Sequence, residues 1–462
     1  MDGLYTEIPL QWFQYSLHCF LRMRHQVSKL KYRLFRPQAW RTNLVFWGGA
    51  ILVGLVAAVF ALMADRADHL FRSIIAYNAY LPLLITPAGF LLTVYLTRKI
   101  FSGAEGSGIP QTLIALADPG SSMSNRLLSM RMVVGKVLMA VLALCSGASL
   151  GREGPTVHLG AAIMHSLGKY AHLPARYYER GLILTGGGAG IAAAFNTPLA
   201  GIIFAIEEMA RSYDRRNSGM MLVGVVLAGM TAIVVHQNNY NYYGTTPVTL
   251  DFSWVWLGVV VSGVVGGFCG GLFSQVLIVL SKKLRPYMQT HWVLIVLLSG
   301  LIVALLSILS GGTSNGTGYL EAKQIVSCAG LETCTADYGV MYPLYKILAT
   351  AATYLTTIPG GLFAPSLASG AGLGADIALL FPTEMASTIV ILGMIGYFTG
   401  VVQTPITAFV IVMEMTDNQE LVLAMMATAL IASATSKLIC KKPIYEALAE
   451  NLLAMMSDKQ RR

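Results

Sequence analysis

A chain of 462 residues with 55% hydrophobic and 12% charged residues, and a mean hydropathy of +0.62, is too apolar and too poor in charge to be a soluble domain of that size. The formal net charge of +9 bears on membrane topology and anionic partners and is silent about fold. Composition therefore excludes an ordinary soluble enzyme and predicts an all-α polytopic membrane protein.

In chain order, residues 1–43 read as a basic, interfacial segment. Arg22, Arg24, Lys29, Lys31, Arg33, Arg36 and Arg41 precede the first span with no acid among them, and Trp12, Phe13, Phe20 and Trp40 are interleaved. Such a run fits a helix lying on the inner membrane face better than a nucleic-acid contact, and it places the N-terminus in the cytoplasm. Asp2 and Glu7 interrupt what would otherwise be a cleavable signal, so the first span is expected to serve as the uncleaved one. The stretches 43–64, 181–206, 252–281, 347–375 and 385–413 carry no Asp, Glu, Lys or Arg; a spanning helix needs about 20 residues. Shorter candidates near 81–97, 131–150, 218–235, 292–310 and 421–436 raise the expectation to ten or more embedded helices, several broken by Gly and Pro.

Basic clusters at Arg98–Lys99, Arg211 with Arg215 and Arg216, Lys282 with Lys283 and Arg285, and Lys441–Lys442 read as cytoplasmic. Segments 236–253 and 311–342 hold a single Lys between them, Lys323, and read as external. In the latter, Cys328 and Cys334 are either a disulfide or two free thiols. Cys19, Cys145, Cys269 and Cys440 have no metal-ligand spacing.

An internal repeat divides the chain. Gly151, Pro155, Thr156, Gly160 and Ala161 match Gly361, Pro365, Ser366, Gly370 and Ala371; Asn196-Thr-Pro-Leu-Ala-Gly resembles Gln403-Thr-Pro-Ile-Thr-Ala, and Glu207 falls opposite Glu414. The expected layout is a first repeat over 44–236, a second over 252–440 and a short cytoplasmic tail at 441–462. Duplicated halves, often inverted, with broken helices around a midplane site are a transporter architecture.

Arg152 and Glu153 stand between the uncharged runs 137–151 and 154–168. An ionisable pair at bilayer depth is costly and marks a functional site, the competing reading being a structural ion pair. The pair lies in one of three segments running from Gly to Pro: Gly106-Ser-Gly-Ile-Pro110, Gly151-Arg-Glu-Gly-Pro155 and Gly360-Gly-Leu-Phe-Ala-Pro365. Pro suits the first turn of a helix. Three helix N-termini aimed at one point would bind an anion through backbone N–H groups, and unwound backbone at this depth must line a cavity or be buried in protein.

At these residues the chain resembles the CLC family of chloride channels and proton-coupled chloride transporters. Tyr445 in Lys-Lys-Pro-Ile-Tyr, the run Pro198–Met209 and Glu414-Met-Thr-Asp-Asn418 share the resemblance, which spans about residues 45–450. It implies two inverted-repeat halves with broken, re-entrant helices around a central anion pathway. It also implies roles. Ser107 and Tyr445 hydroxyls, with backbone N–H groups of Leu362 and Phe363, would hold a central chloride, and Gly108 and Ile109 belong to the same anion-binding motif. Backbone N–H groups around Arg152, Glu153 and Gly154 would form an outer site. Glu153 would be the external gate, its carboxylate competing with chloride, and Glu208 the internal proton relay that family channels generally lack. The alternative for Glu207 and Glu208 is that both merely terminate a helix at the interface. Ser107, where nitrate-preferring members carry Pro, implies chloride. One departure stands out: Gln111, Thr112 and Leu113 replace acids common after this motif in exchangers.

The resemblance thus implies a secondary active transporter exchanging chloride for protons, with a passive chloride channel or a slipping exchanger as the alternative. It implies no enzymatic activity, no cofactor beyond the transported ions, no metal and no nucleic acid. The lipid bilayer and a homodimer with one pore per subunit are the expected partners. The expected location is a bacterial inner membrane, with both termini cytoplasmic and no C-terminal nucleotide-binding modules. Gly263, Gly267 and Gly271 would allow a close helix approach, within the subunit or at the partner. His158 reads as a packing residue. A cation-coupled amino-acid transporter has no need of a Glu inside its anion site, and a membrane enzyme would need a nucleophile or metal set that the motifs lack.

Overall fold

The computed structural model describes residues 37–173, 175–210, 218–235, 243, 254–329 and 338–460. The basic run before residue 37, the cluster Arg211, Arg215 and Arg216, most of the 236–253 segment, and Cys19 and Cys334 lie outside the described residues. Among the described residues the regular structure is helical, apart from one isolated antiparallel bridge between Gly151 and Gly361. The first half comprises α1 (Pro37–Tyr77), α2 (Pro82–Lys99), α3 (Ile109–Ala117), α4 (Ser122–Leu127), α5 (Met130–Cys145), α6 (Glu153–Tyr170), α7 (Ala175–Phe195), α8 (Pro198–Phe204) and α9 (Ser218–Val235). The second comprises α10 (Trp254–Thr290), α11 (Trp292–Leu309), α12 (Tyr319–Cys328), α13 (Tyr342–Leu355), α14 (Phe363–Ala378), α15 (Ala386–Val402), α16 (Pro405–Thr416), α17 (Val422–Ile439) and α18 (Ile444–Gln460).

Of the five long uncharged stretches, three are broken. The run 181–206 becomes the end of α7, a turn at Asn196–Thr197, then α8 and a π-helical turn over Ala205–Ala210. The run 385–413 breaks in the same way: α15 ends at Val402, Gln403 and Thr404 turn, and α16 starts at Pro405. In both, a residue with positive φ (Asn196, +57°; Gln403, +61°) ends the first helix and Pro opens the second. The run 347–375 divides between α13 and α14. Six helical stretches among the described residues are long and apolar enough to cross a membrane, and α9 and α16 are shorter apolar helices.

The two halves are inverted, and one reciprocal contact displays it. The Glu207 carboxylate, just past α8, accepts from the Ile406 and Thr407 amides at the start of α16 (3.1 and 2.6 Å) and from the Thr407 hydroxyl (2.7 Å). The Glu414 carboxylate, near the end of α16, accepts from the Leu199 and Ala200 amides at the start of α8 (3.2 and 2.7 Å). Each acid caps the N-terminus of the other half's broken helix, where orphan N–H groups and the positive dipole end favour a carboxylate. Such an exchange requires α8 and α16 to run antiparallel. It also assigns Glu207 to a capping role, which separates it from Glu208.

Inside each half the helices approach closely through small residues. A Cβ on Gly160 would lie 2.1 Å from the Gly186 carbonyl oxygen, locking α6 on α7. In α10 the ridge Gly263, Gly267, Gly271 packs within the subunit, against Ile431, Ala432 and Ser436 of α17. Apolar surface gives helices little reason to associate in lipid, so close van der Waals contact through glycine takes over. Helices α6, α14 and α15 are largely buried, as is α7 over residues 181–195. Outward-facing Val260, Val264, Phe268, Leu297, Leu298 and Leu301 are exposed, as a lipid-facing surface requires.

Within the C-terminal segment, α18 packs on α3, and its first turn buries Tyr445 completely. Cys328, the last residue of α12, is disulfide-bonded, while Cys145, Cys269 and Cys440 are free.

A Cβ at Gly267 would fall 2.5 Å from the Ala432 backbone oxygen, whereas one at Gly48 meets nothing within 4 Å. Gly267→Leu is therefore expected to lose about 2 kcal/mol or more through overpacking. Gly48→Ala should be neutral or stabilising by up to about 1 kcal/mol. Thermal unfolding of the two variants in detergent checks the contrast; equal midpoints would show that α10 and α17 do not depend on this contact.

Candidate functional site

Three Gly-to-Pro segments meet at the centre of the molecule and are stitched together through their backbones. Gly151 and Gly361 exchange two hydrogen bonds (N···O 2.7 and 2.6 Å). The Gly106 amide donates to the Thr357 carbonyl, and its own carbonyl accepts from the Gly360 amide, both at 3.3 Å. A helix leaves each segment. The first intrahelical bonds are donated by Thr112 in α3, Thr156 in α6 and Ser366 in α14 (3.0 Å each), to the carbonyls of Gly108, Arg152 and Leu362. The amides before those positions have no intrahelical acceptor and point out of the helix ends.

Glycine is compulsory at two of these crossings. Gly108 caps α3 with φ +106°, and a Cβ there would strike the His158 side chain at 2.7 Å. A Cβ on Gly154 would lie 2.1 Å from the Ser107 hydroxyl oxygen. The start of α6 therefore rests directly on the segment before α3, and Ser107, Gly108, Ile109 and Gly154 form one buried patch.

Glu153 is fully buried at the first position of α6. One carboxylate oxygen accepts from the Tyr319 hydroxyl at 2.6 Å, the other from the Ala364 backbone amide at 3.3 Å, one residue into α14. The side chain thus lies across the N-terminus of a helix from the other half, where an anion would sit. The neighbouring Arg152 turns away from that position. Its guanidinium donates to the Ala61 carbonyl (3.0 Å) and to Asp65 (2.8 Å), and it stacks over the Tyr319 ring at 4.9 Å. A buried arginine is tolerable only when paired in this way.

On the other side of the crossing, Phe363 is held by four rings: Phe195 (6.2 Å between centroids), Phe204 (6.0 Å), Phe398 (5.0 Å) and Tyr445 (5.7 Å). This packing fixes the orientation of the Leu362 and Phe363 amides. The Tyr445 and Ser107 hydroxyls are close enough to influence one another, yet neither makes a well-formed hydrogen bond with any described residue, and both are buried. Buried hydroxyls in native proteins are ordinarily bonded. Two orphaned donors beside exposed helix amides fit a small anion.

Glu208 is buried one residue beyond the capping acid. Lys136 is buried and donates to the Glu105 and Gly106 carbonyls (3.3 and 2.9 Å), tying down the backbone that leads into Ser107. Gln111 donates to the Glu105 carbonyl at 2.7 Å, so the position that departs from the exchanger pattern serves the loop. His158 packs under Gly108 with its Nε2 donating to the Leu127 carbonyl at 2.7 Å.

The structure brings together Ser107, Gly108, Ile109, Glu153, Gly154, Leu362, Phe363 and Tyr445. Glu208 lies buried in the π-helical turn after α8, and the Arg152 side chain is drawn to Ala61 and Asp65. Sequence reasoning passed over Asp65, Tyr319 and Ala364. Asp65 had a visible signal, an acid following a long apolar run. Tyr319 had a weaker one, an aromatic after Gly318, whose φ of +85° opens α12. Among the described residues, no group of three or more His, Cys, Asp or Glu side chains is placed to hold a metal.

Comparison with known proteins agrees with this geometry. Residues 88–437 match the family model described as voltage gated chloride channel. The chain is similar to a slow cyanobacterial Cl⁻/H⁺ antiporter of known crystal structure, at 26% identity and TM-score 0.76, covering 91% of this chain and 99% of that one. A CLC-type fluoride/proton antiporter (22%, TM-score 0.74, 89% and 98% covered) and a eukaryotic CLC transporter (21%, TM-score 0.70, 88% and 74% covered) share the fold.

Removing an orphaned buried hydroxyl should not cost stability. Tyr445→Phe is expected to unfold close to the wild-type temperature in chloride-free buffer, because no well-formed bond is lost. Added chloride should then stabilise the variant less than the wild type, since a ligand stabilises only the fold that binds it. Thermal scans with and without chloride test this; equal chloride-induced shifts would remove Tyr445 from the site.

Proposed function

The chain belongs to the voltage gated chloride channel (CLC) family, and on that premise we propose that it exchanges chloride for protons across the membrane. One observation carries the reading: alongside the buried Ser107 and Tyr445 hydroxyls, which make no well-formed hydrogen bond with a described residue, the buried Glu153 carboxylate takes the Ala364 amide at the α14 N-terminus, and a second acid, Glu208, is buried as well. A passive anion pore needs the hydroxyls and the helix amides. It has no use for a second buried acid.

In this reading the Ser107 and Tyr445 hydroxyls, with the Leu362 and Phe363 amides, hold a dehydrated chloride by charge-assisted hydrogen bonds. The amides around Arg152, Glu153 and Gly154, on the segment that Gly108 and Ile109 cross, form the outer site. The carboxylate of Glu153 stands where an anion would, taking the Ala364 amide and the Tyr319 hydroxyl. Chloride and carboxylate compete for the same donors. Protonation removes the charge and with it the claim on the helix N-terminus, so the side chain withdraws and an anion enters. Glu208 supplies the proton from the opposite, cytoplasmic side. The similarity to a Cl⁻/H⁺ antiporter supports the exchange direction of the argument.

A second reading, weakly coupled exchange or a channel, rests on Gln111. It occupies a position where an acid would extend the inner proton route, and its amide is committed to the Glu105 carbonyl. The remainder of the proposal is a homodimer with one pore per subunit, in a bacterial inner membrane, both termini cytoplasmic. The Gly263–Gly271 ridge is used inside the subunit and so does not form the dimer contact.

Purified protein in liposomes tests the exchange. An outward chloride gradient should drive protons uphill into wild-type vesicles. Glu153→Gln should abolish that proton movement and leave chloride flux, because an amide mimics the neutral acid and carries no proton. Glu208→Gln should stop protons and spare chloride, whereas Glu207→Gln should cost about 1 kcal/mol of stability through a weakened helix cap and leave coupling unchanged. Chloride current without proton pumping in wild type would make this protein a channel or a strongly slipping transporter.

A further inference from the structure

Tyr319 reaches Glu153 through its hydroxyl and Arg152 through its ring, and neither the motifs nor the chloride site account for it. It opens α12, directly after the left-handed Gly318; a Cβ on Gly318 would strike Ala368 at 2.5 Å and the Lys346 side chain at 3.0 Å. The position of the ring is therefore set by backbone that cannot shift. Lys346, fully buried, donates to the Ser314, Asn315 and Gly316 carbonyls (3.1, 2.7 and 3.0 Å), pinning the loop that leads into Gly318. Behind the ring stand Phe195, edge-on at 6.4 Å, and Tyr243 at 6.2 Å. On its face sits the Arg152 guanidinium at 4.9 Å, itself paired with Asp65.

From this geometry we infer that Tyr319 is a latch for Glu153: its hydroxyl holds the carboxylate across the α14 N-terminus, and its ring, clamped by Arg152, keeps that hydroxyl in place. The inference rests on the reading of Glu153 as the gate and adds what sets the strength of the gate. The carboxylate has two donors, the Ala364 amide at 3.3 Å and the Tyr319 hydroxyl at 2.6 Å. The phenol gives the shorter bond, and it is the one donor of the two that an entering chloride need not displace. Chloride competes for helix amides; the phenol belongs to the carboxylate. Loss of the hydroxyl therefore tilts the competition toward chloride, and anions pass without waiting for a proton. Arg152 acts on the same balance at one remove, since it grips the ring and leaves the carboxylate alone. Tyr319 is a positioning residue in this scheme and touches no transported chloride.

Tyr319→Phe keeps the ring, the stacking on Arg152 and the packing on Phe195, and deletes only the hydroxyl. A hydrogen bond to a charged group corresponds to roughly ten-fold to a hundred-fold in an equilibrium, so chloride moved per proton should rise by about ten-fold or more in Tyr319→Phe liposomes. The decisive measurement repeats the substitution in a Glu153→Gln background. There the carboxylate is gone, and Tyr319→Phe should leave chloride flux unchanged, which also shows that the variant is folded. A rise in chloride flux of the same size in both backgrounds would mean that Tyr319 shapes the pathway itself, overturning the latch. An unchanged chloride-to-proton ratio in Tyr319→Phe alone would overturn it as well. Should Glu153→Gln alone still pump protons, the gate reading falls and the latch falls with it, and that result is distinguishable from the other two.

Discussion

The central constraint is that helix N-termini brought to the middle of a membrane protein must find partners for their amides. Nothing in a bilayer core supplies them, and each unsatisfied group costs several kcal/mol, on the order of what a whole domain retains as net stability. Here α3, α6 and α14 end at one place, joined by the paired Gly151 and Gly361 backbones and the Gly106–Gly360 link. The segments cannot separate without orphaning further polar groups, so the amides left over are held rigidly. A rigid array of donors selects an anion, and the side chain that now satisfies part of it, Glu153, is one.

Among the described residues, the buried cations nearest the site are all taken up elsewhere. Arg152 is taken up by Asp65 and Ala61, Lys136 by the Glu105 and Gly106 carbonyls, and Lys346 by three carbonyls before Gly318. Each of these cations fastens backbone. A lysine or arginine aimed at the centre would bind chloride tightly and release it slowly; dipoles and hydroxyls bind more weakly and let it leave. The same economy appears at the reciprocal caps, where Glu207 and Glu414 satisfy the broken helices α8 and α16 with carboxylates from the opposite half. Two adjacent acids consequently have separate fates: Glu207 is consumed by the cap on α16, and Glu208 is buried beside it.

Much of this was legible in the residues. Uncharged stretches located the membrane helices, and Gly-to-Pro segments located the helix openings, because both follow from local backbone chemistry. The match of Glu207 with Glu414 exposed the duplication. What the residues could not convey was reach. The pairing of Gly151 with Gly361 joins positions far apart in sequence, and the tyrosine on Glu153 comes from the far half of the chain. The glycine ridge of α10 was readable as a close-approach surface, but its partner, α17, was not.

The sequence by itself determined that this protein is a helical membrane protein with duplicated halves and three Gly-to-Pro helix openings. These properties follow from hydropathy, from the conformations open to Gly and Pro, and from the cost of a charge at bilayer depth. Only the tertiary structure decided which donors each acid receives. Glu153 gained Ala364 and Tyr319, Glu207 became a cap, Arg152 was drawn off to Asp65, and the C-terminal segment formed a helix that buries Tyr445. The physical reason is that hydrogen bonds and close packing act over a few ångströms in space, and distance in space is fixed by how the two inverted halves meet.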